Sequence, residues 1–209
     1  MTNYSIATPK VCVIATRNPG KAEEFLALLR ELPIEWRLAA DYPSFPVGLE
    51  ETGATYAENA RIKGEVCAQF TGFPALGDDS GLEVDALDGD PGVRTARFGG
   101  PGLNQRERIA LLLERLKGLP LGARTARFRC ALALAMPEGG PTQIVEGVCE
   151  GLIALAPAGE GGFGYDPIFL LPALGKTLAQ LSPEEKSRVS HRALAVQAAR
   201  PILLDILLP

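Results

Sequence analysis

Short apolar runs alternate along this chain with segments whose apolar residues recur every three to four positions. Val11 to Ala15 is an unbroken apolar run that ends in the turn-forming stretch Thr16-Arg17-Asn18-Pro19-Gly20-Lys21. Beyond it Phe25, Leu28, Leu29 and Leu32 fall at i, i+3, i+4 and i+7, with Glu23, Glu24, Arg30 and Glu31 off that stripe. This is a buried strand feeding a surface helix docked by one face. Residues 33–38 read as a second strand, and the Pro- and Gly-bearing stretch from Asp41 to Gly53 as a loop. A helix is expected from Thr55 to Phe70. Two short strands, Ala75 to Gly77 and Leu82 to Val84, then flank a polar insert, Asp78-Asp79-Ser80. Asn104 to Lys117 carries Ile109, Leu112, Leu113 and Leu116 on one helical face.

From Thr125 to Met136 the period changes to two, with Phe128, Cys130, Leu132, Leu134 and Met136 on one side and mainly alanines on the other. Gln143 to Leu155 resembles its antiparallel neighbour, joined through Pro137-Glu138-Gly139-Gly140-Pro141. Ser182-Pro183-Glu184-Glu185 places Ser at N-cap, Pro at N1 and Glu at N3, a capping-box start. A last helix begins near Ser190 and is expected to bend or end around Pro201. Alternating strands and helices followed by a hairpin predict an α/β fold with a mixed sheet. With no repeat or linker-like composition, residues 1–209 read as a single domain whose first nine residues form a flexible leader.

Composition narrows the function classes. A net charge of −4 argues against non-specific binding to polymeric nucleic acid, which needs a broad cationic field. The four cysteines, Cys12, Cys67, Cys130 and Cys149, form no CxxC pair and sit mostly among apolar residues, as free thiols in a reducing cytoplasm would. No apolar run approaches the roughly 20 residues that span a bilayer, so no membrane partner is expected.

Four segments carry candidate chemistry. Thr16 to Lys21, between a strand and a helix N-terminus, suits an anion, because backbone N–H groups there are unpaired and the helix dipole is positive. It reads equally as an ordinary capped turn. Gly77-Asp78-Asp79-Ser80-Gly81 sets two acids side by side, an arrangement that a cation or a shared proton makes tolerable and that a solvated turn also accommodates. Glu50-Glu51 upstream offers a further oxygen ligand. With one histidine and scattered cysteines, carboxylates point to Mg²⁺ or Mn²⁺ rather than zinc or copper. The third segment, Gly159-Glu160-Gly161-Gly162-Phe163-Gly164-Tyr165-Asp166-Pro167, lets backbone approach a flat ligand, with Phe163 or Tyr165 to stack on it. The fourth is Lys186 with Ser190-His191-Arg192 at a helix start.

The ordered series T-x-N-x-G-K, E-E-T-G, E-N-A-x-x-K, D-D-S-G-L, P-G-V-x-x-A-R-F, G-G-F-G-Y-D-P-I-F, E-E-K-S and S-H-R resembles the inosine triphosphate pyrophosphatase family, the bacterial dITP/XTP pyrophosphatases, from Val11 to about Ala199. The resemblance implies a two-lobed single domain around a long mixed sheet with flanking helices and an active site in the inter-lobe cleft. It also implies a homodimer that hydrolyses ITP, dITP and XTP to the monophosphate and pyrophosphate. Carried onto this chain, Thr16, Asn18 and Lys21 would grip the triphosphate within a loop completed by Arg17, Pro19 and Gly20. Glu50 and Asp79 would hold Mg²⁺, with Mn²⁺ as a substitute and Asp78 adding to the metal environment. Asp79 would also accept the proton of the attacking water. Lys63 and Lys186 would face phosphate, and Ser80 would touch substrate. Phe163, Gly164, Tyr165 and Asp166 with His191 and Arg192 would enclose the base. Two positions depart slightly from the family pattern: Arg17, which either adds a cation or points outward, and Gly77, which is expected to loosen the turn before the acidic pair. The rival readings are a phosphatase with Asp79 as covalent nucleophile, a pyrophosphatase for other modified nucleotides, and a nucleotide sensor without turnover.

Overall fold

The structure, a computed structural model, describes residues 10–46 and 51–208. The expected leader and Glu50 lie outside the described residues. Lys10–Ile14 forms β1, Pro19–Leu29 α1, Ile34–Leu38 β2, Tyr56–Thr71 α2, Ala75–Val84 β3 and Gln105–Arg115 α3. Thr125–Ala135 forms β4, Gln143–Ile153 β5, Phe169–Leu171 β6, Lys176–Thr177 β7, Pro183–Val189 α4 and His191–Leu207 α5. The strands make one seven-stranded sheet in the order β2-β1-β3-β4-β5-β6-β7. β1 is parallel to β2 and β3, and every later pairing is antiparallel. This is the mixed α/β sheet that the patterns predict. Among the described residues no helix is long and apolar enough to cross a membrane.

The helix starts follow from their caps. Thr55 with Glu58, Asn104 with Glu107 and Ser182 with Glu185 each form a reciprocal capping box, opening α2, α3 and α4. Apolar residues then divide into clusters at the two ends of the central strands. Leu82, Val84, Leu112, Ile153 and Phe169 pack at one end. Ile14, Phe25, Leu29, Leu76, Leu132 and Leu203 pack at the other, beneath α1 and α5.

Two expectations are corrected. Asp78-Asp79-Ser80 is not an insert between short strands, because β3 pairs with β4 without interruption from Ala75↔Ala135 to Val84↔Ala126. A full-length partner satisfies the backbone and overrides the weak strand propensity of Asp and Gly. Of the two outcomes expected at Pro201, bending or ending, the ending does not occur: the helix beginning at His191 runs through it to Leu207. Pro201 removes one backbone donor, while Ala199, Leu203 and Leu207 on either side of it are buried and hold the helix to the sheet.

Unbroken pairing fixes where the acids point. Successive side chains leave a strand on opposite faces. Gly77, Asp79 and Gly81 therefore face α2 and the 3₁₀ turn Gly92–Arg97, and Asp78 and Ser80 face α1 and α5. β1 covers β3 only at Ala75 and Leu76, because the chain leaves β1 there to enter α1. From Gly77 to Leu82 that edge of β3 has no strand partner among the described residues, and the site lies along it.

Gly77 does not loosen a turn; it lets α2 lie against the sheet. A Cβ there would collide with the Ala60 carbonyl oxygen and stand 2.6 Å from the Gly64 nitrogen. Gly77→Ala is expected to push α2 off β3 and destabilise the fold by about 1–3 kcal/mol. A urea titration checks this, and an unchanged midpoint would mean that α2 yields freely.

Candidate active site

At the turn out of β1, Thr16 is buried and its Oγ1 accepts from the Asn18 N–H at 3.2 Å. Asn18 caps α1, its Oδ1 accepting from the Lys21 N–H at 3.2 Å, and Pro19 follows as the first helical residue. The cap aims a helix N-terminus at the uncovered edge of β3, where Lys21 Nζ donates to Asp78 Oδ2 at 2.9 Å. Arg17 leaves this group. Its Nη2 donates to the Phe45 carbonyl at 2.8 Å and its guanidinium lies 5.9 Å from the Phe45 ring, so of the two options left open it points outward.

The acidic pair divides between two sets of partners. Asp78, 2% exposed, binds Lys21, accepts from Ser80 Oγ at 3.3 Å and has Arg192 Nε 3.9 Å away. Burial alone would raise its pKa, but the charges of Lys21, Arg192 and Lys63 outweigh it and hold the carboxyl below its ordinary value. Asp79 binds Lys63 Nζ at 2.7 Å through Oδ1 and accepts from Asn59 Nδ2 at 3.2 Å through Oδ2. Its burial prevails over the attraction of Lys63, and the pKa moves up. For Lys63 burial works against the charge, yet Asp79 and Asp78 raise the pKa overall. Asn59 was not singled out from sequence, although its spacing of four from Lys63 in the E-N-A-x-x-K motif puts both on one helical face.

A cavity of about 320 Å³ opens here, lined among others by Asn18, Lys21, Glu51, Asp79, Ser80, Gly164, Tyr165, Asp166, His191 and Arg192. Phe163 stands between it and a second cavity of about 260 Å³ that Gly20, Glu24 and Lys186 help to line. The Phe163 ring presses on the backbone of Gly20, with Arg192 and Lys186 at 5.0 Å and 5.2 Å from its centroid. Tyr165 is 2% exposed and donates its hydroxyl to the Thr95 carbonyl, whereas Phe163 is half-buried. Lys186 does not stand with Lys21 and Lys63. It is buried between Asp166, at 2.6 Å, and Glu24, on the far side of Phe163. Arg192 donates to Glu24 at 2.9 Å and to Ser80 Oγ at 3.0 Å. His191 is stacked on Phe128 at 4.6 Å, and burial followed by the charges of Arg192, Lys186 and Lys21 pushes its pKa well below the usual histidine value.

No group of three or more His, Cys, Asp or Glu in metal-binding arrangement occurs among the described residues. Asp79 and Glu51, however, converge on one cationic point, each 2.7 Å from Lys63 Nζ. Two carboxylates around a shared positive charge fit Mg²⁺, which takes one or two carboxylates and completes its shell with water and substrate oxygens. Asp78 does not share that point. It projects from the opposite face of β3 and does not line the cavity.

A mixed α/β sheet with a helix N-terminus, a lysine and paired carboxylates along one uncovered strand edge defines a protein built to hold an anionic, phosphate-bearing ligand. The chain belongs to the Ham1 family, which it matches over residues 12–202. It is similar to the dITP/XTP pyrophosphatase of Geobacillus kaustophilus, with 53% identity over 187 residues covering 90% of this chain and 91% of that one. To the dITP/XTP pyrophosphatase of Thermus thermophilus it is 49% identical, with coverages of 89% and 88%. A solved HAM1 protein from Coxiella burnetii superposes with a TM-score of 0.84 at 41% identity, covering 94% of this chain and 99% of that one.

Neutral, buried His191 makes stability depend on pH. Below about pH 6.5 the unfolded chain takes up a proton that native His191 refuses, so its contribution is complete above that pH and is lost on acidification. The stability difference between wild type and His191→Gln should therefore shrink from about pH 7.5 to about pH 5. Denaturant midpoints at the two pH values check this, and a constant difference would mean that native His191 titrates normally.

Proposed function

We propose that the protein hydrolyses the deaminated purine nucleoside triphosphates ITP, dITP and XTP to the monophosphate and pyrophosphate, with Mg²⁺ as cofactor and Mn²⁺ as a substitute. The observation that carries this reading is the convergence, in one cleft, of the α1 N-terminus and Lys21 with the Asp79–Glu51 pair. The names of the similar pyrophosphatases support it. Thr16, Asn18 and Lys21 hold the triphosphate, and Asp79 with Glu51 or Glu50 holds the metal. When bound, Mg²⁺ supplies charge neutralisation on the phosphoryl oxygens. Asp79 accepts the proton of a water attacking the α-phosphorus. Lys63 gives up its place between Asp79 and Glu51 to the metal and turns toward phosphate, while Asn59 keeps that carboxylate in place.

At the other end Phe163 stacks on the base, and Arg192, which can only donate, faces the 6-oxo acceptor of hypoxanthine or xanthine. Adenine presents an amino donor there and leaves both groups unpaired, a mismatch that can discriminate by about 10⁴-fold. The buried free cysteines support a cytoplasmic setting, and the family resemblance supports a homodimer.

Incubation with ITP, dITP, XTP, ATP and GTP plus Mg²⁺ is expected to release pyrophosphate from the first three. Untouched ITP, or orthophosphate as the product, would overturn the reading. Asp79→Asn is expected to lower kcat by about 10²–10⁴-fold with the fold intact. A variant with full turnover would remove Asp79 from the base role.

A further inference from the structure

Three side chains lining the cleft cavity carry a buried polar atom with no hydrogen-bond partner among the described residues: His191 at Nδ1, Arg192 at Nε and Gln105 at Nε2. An unpaired buried donor is costly, and a site built for a ligand leaves such atoms for the ligand to satisfy. His191 and Arg192 already belong to the base end. Gln105 belongs to no motif that the sequence singles out.

Gln105 is the first residue of α3 and is held firmly. Asn104 Oδ1 accepts from the Glu107 N–H at 3.1 Å, and Glu107 returns a bond to the Asn104 N–H at 2.7 Å. One turn on, Arg108 ties the helix to the Phe98 and Gly100 carbonyls. Gln105 lines the cavity, as do Val93, Thr95 and Ala96 of the 3₁₀ turn, and none of these four side chains is charged. The anionic end of the cavity is served by Asn18 and Lys21, and the base end by Phe163, His191 and Arg192. The part of a nucleotide left without a protein partner is its sugar. A neutral amide suits a hydroxyl there, since it donates without adding a charge that would compete for the triphosphate.

We propose that Gln105 binds the sugar of the substrate, its Nε2 donating to the 3′-hydroxyl. The 3′ position is assigned because dITP, a substrate on the reading above, lacks the 2′-hydroxyl, and this inference rests on that reading. The side chain makes its contact in the bound ligand, so the amide contributes to kcat/KM and sets a preference for an intact 3′ position.

The test compares kcat/KM for ITP, dITP and 3′-deoxy-ITP in wild type, Gln105→Leu and Gln105→Met, the last keeping the length of the side chain. Wild type is expected to lose about three- to tenfold on removal of the 3′-hydroxyl, the effect of one hydrogen bond. Both variants should show that loss on ITP and dITP and none beyond it on 3′-deoxy-ITP. Each ratio is taken within one protein, so a general loss of activity cancels. An equal impairment on ITP and 3′-deoxy-ITP, or none on either, overturns the assignment while leaving the functional reading standing. Failure of wild type to cleave ITP would overturn both.

Discussion

Burial of two consecutive carboxylates in the central strand is the constraint on which the rest of this site depends. Taking an ion out of water costs several kcal/mol even after relaxation, and Asp78 and Asp79 are 2% and 4% exposed. The pleat keeps any one cation from pairing directly with both carboxylates, so a partner arrives on each face. α2 brings Lys63 to Asp79, α1 brings Lys21 to Asp78, and α5 brings Arg192 toward Asp78 through Ser80. The helices that bury the apolar faces of the sheet are thus the same helices that neutralise its acids. Close docking is what makes both possible. Gly77 lets α2 approach, and at Gly147 a Cβ would collide with the His191 carbonyl and the Ala195 nitrogen of α5.

On the proposed reading Lys21 has two functions with different energetics. Its ammonium compensates a nearly inaccessible carboxylate while its own side chain keeps 17% exposure at the cleft. Removing one partner of a buried pair typically costs about 3–5 kcal/mol, because the other charge remains. Loss of Lys21 would weaken the fold as well as any grip on phosphate, whereas Asp79 keeps Asn59 as a partner if Lys63 is drawn toward a ligand.

How far the molecule could be read from its residues follows from which forces are local. The β1–turn–α1 unit, the β4–β5 hairpin and the capping box that opens α4 were legible, since apolar period and capping chemistry lie within a few positions of each other. The strand at Asp78-Asp79-Ser80 was not, because its support comes from β4, about fifty residues away, against the local preference of Asp and Gly. The same override carries α5 through Pro201. Within the candidate site the motifs pointed to the residues that the cleft brings together, but not to the separation of Asp78 from Asp79, the place of Lys186 behind Phe163 or the outward turn of Arg17. Each of those depends on which face a side chain leaves or on which loop lies nearby. Gln105 carried no motif at all, and only its unpaired buried nitrogen marks it.

The proposed choice of base also follows from this burial. A neutral imidazole donates from one ring nitrogen and accepts at the other, so His191 alone could pair with either an oxo or an amino group. Burial and three nearby cations keep it in that ambivalent form. Arg192 has no such freedom, since a guanidinium offers only donors. Its charge is balanced by Glu24 and Asp78, so it can stay buried without a ligand, and Ser80 and Glu24 fix its plane. On the proposed reading, discrimination against a 6-amino group rests on the donor whose charge the acidic strand stabilises. Asp78, which neutralises Lys21 at the proposed phosphate end, thus also steadies Arg192, the proposed selective group at the base end.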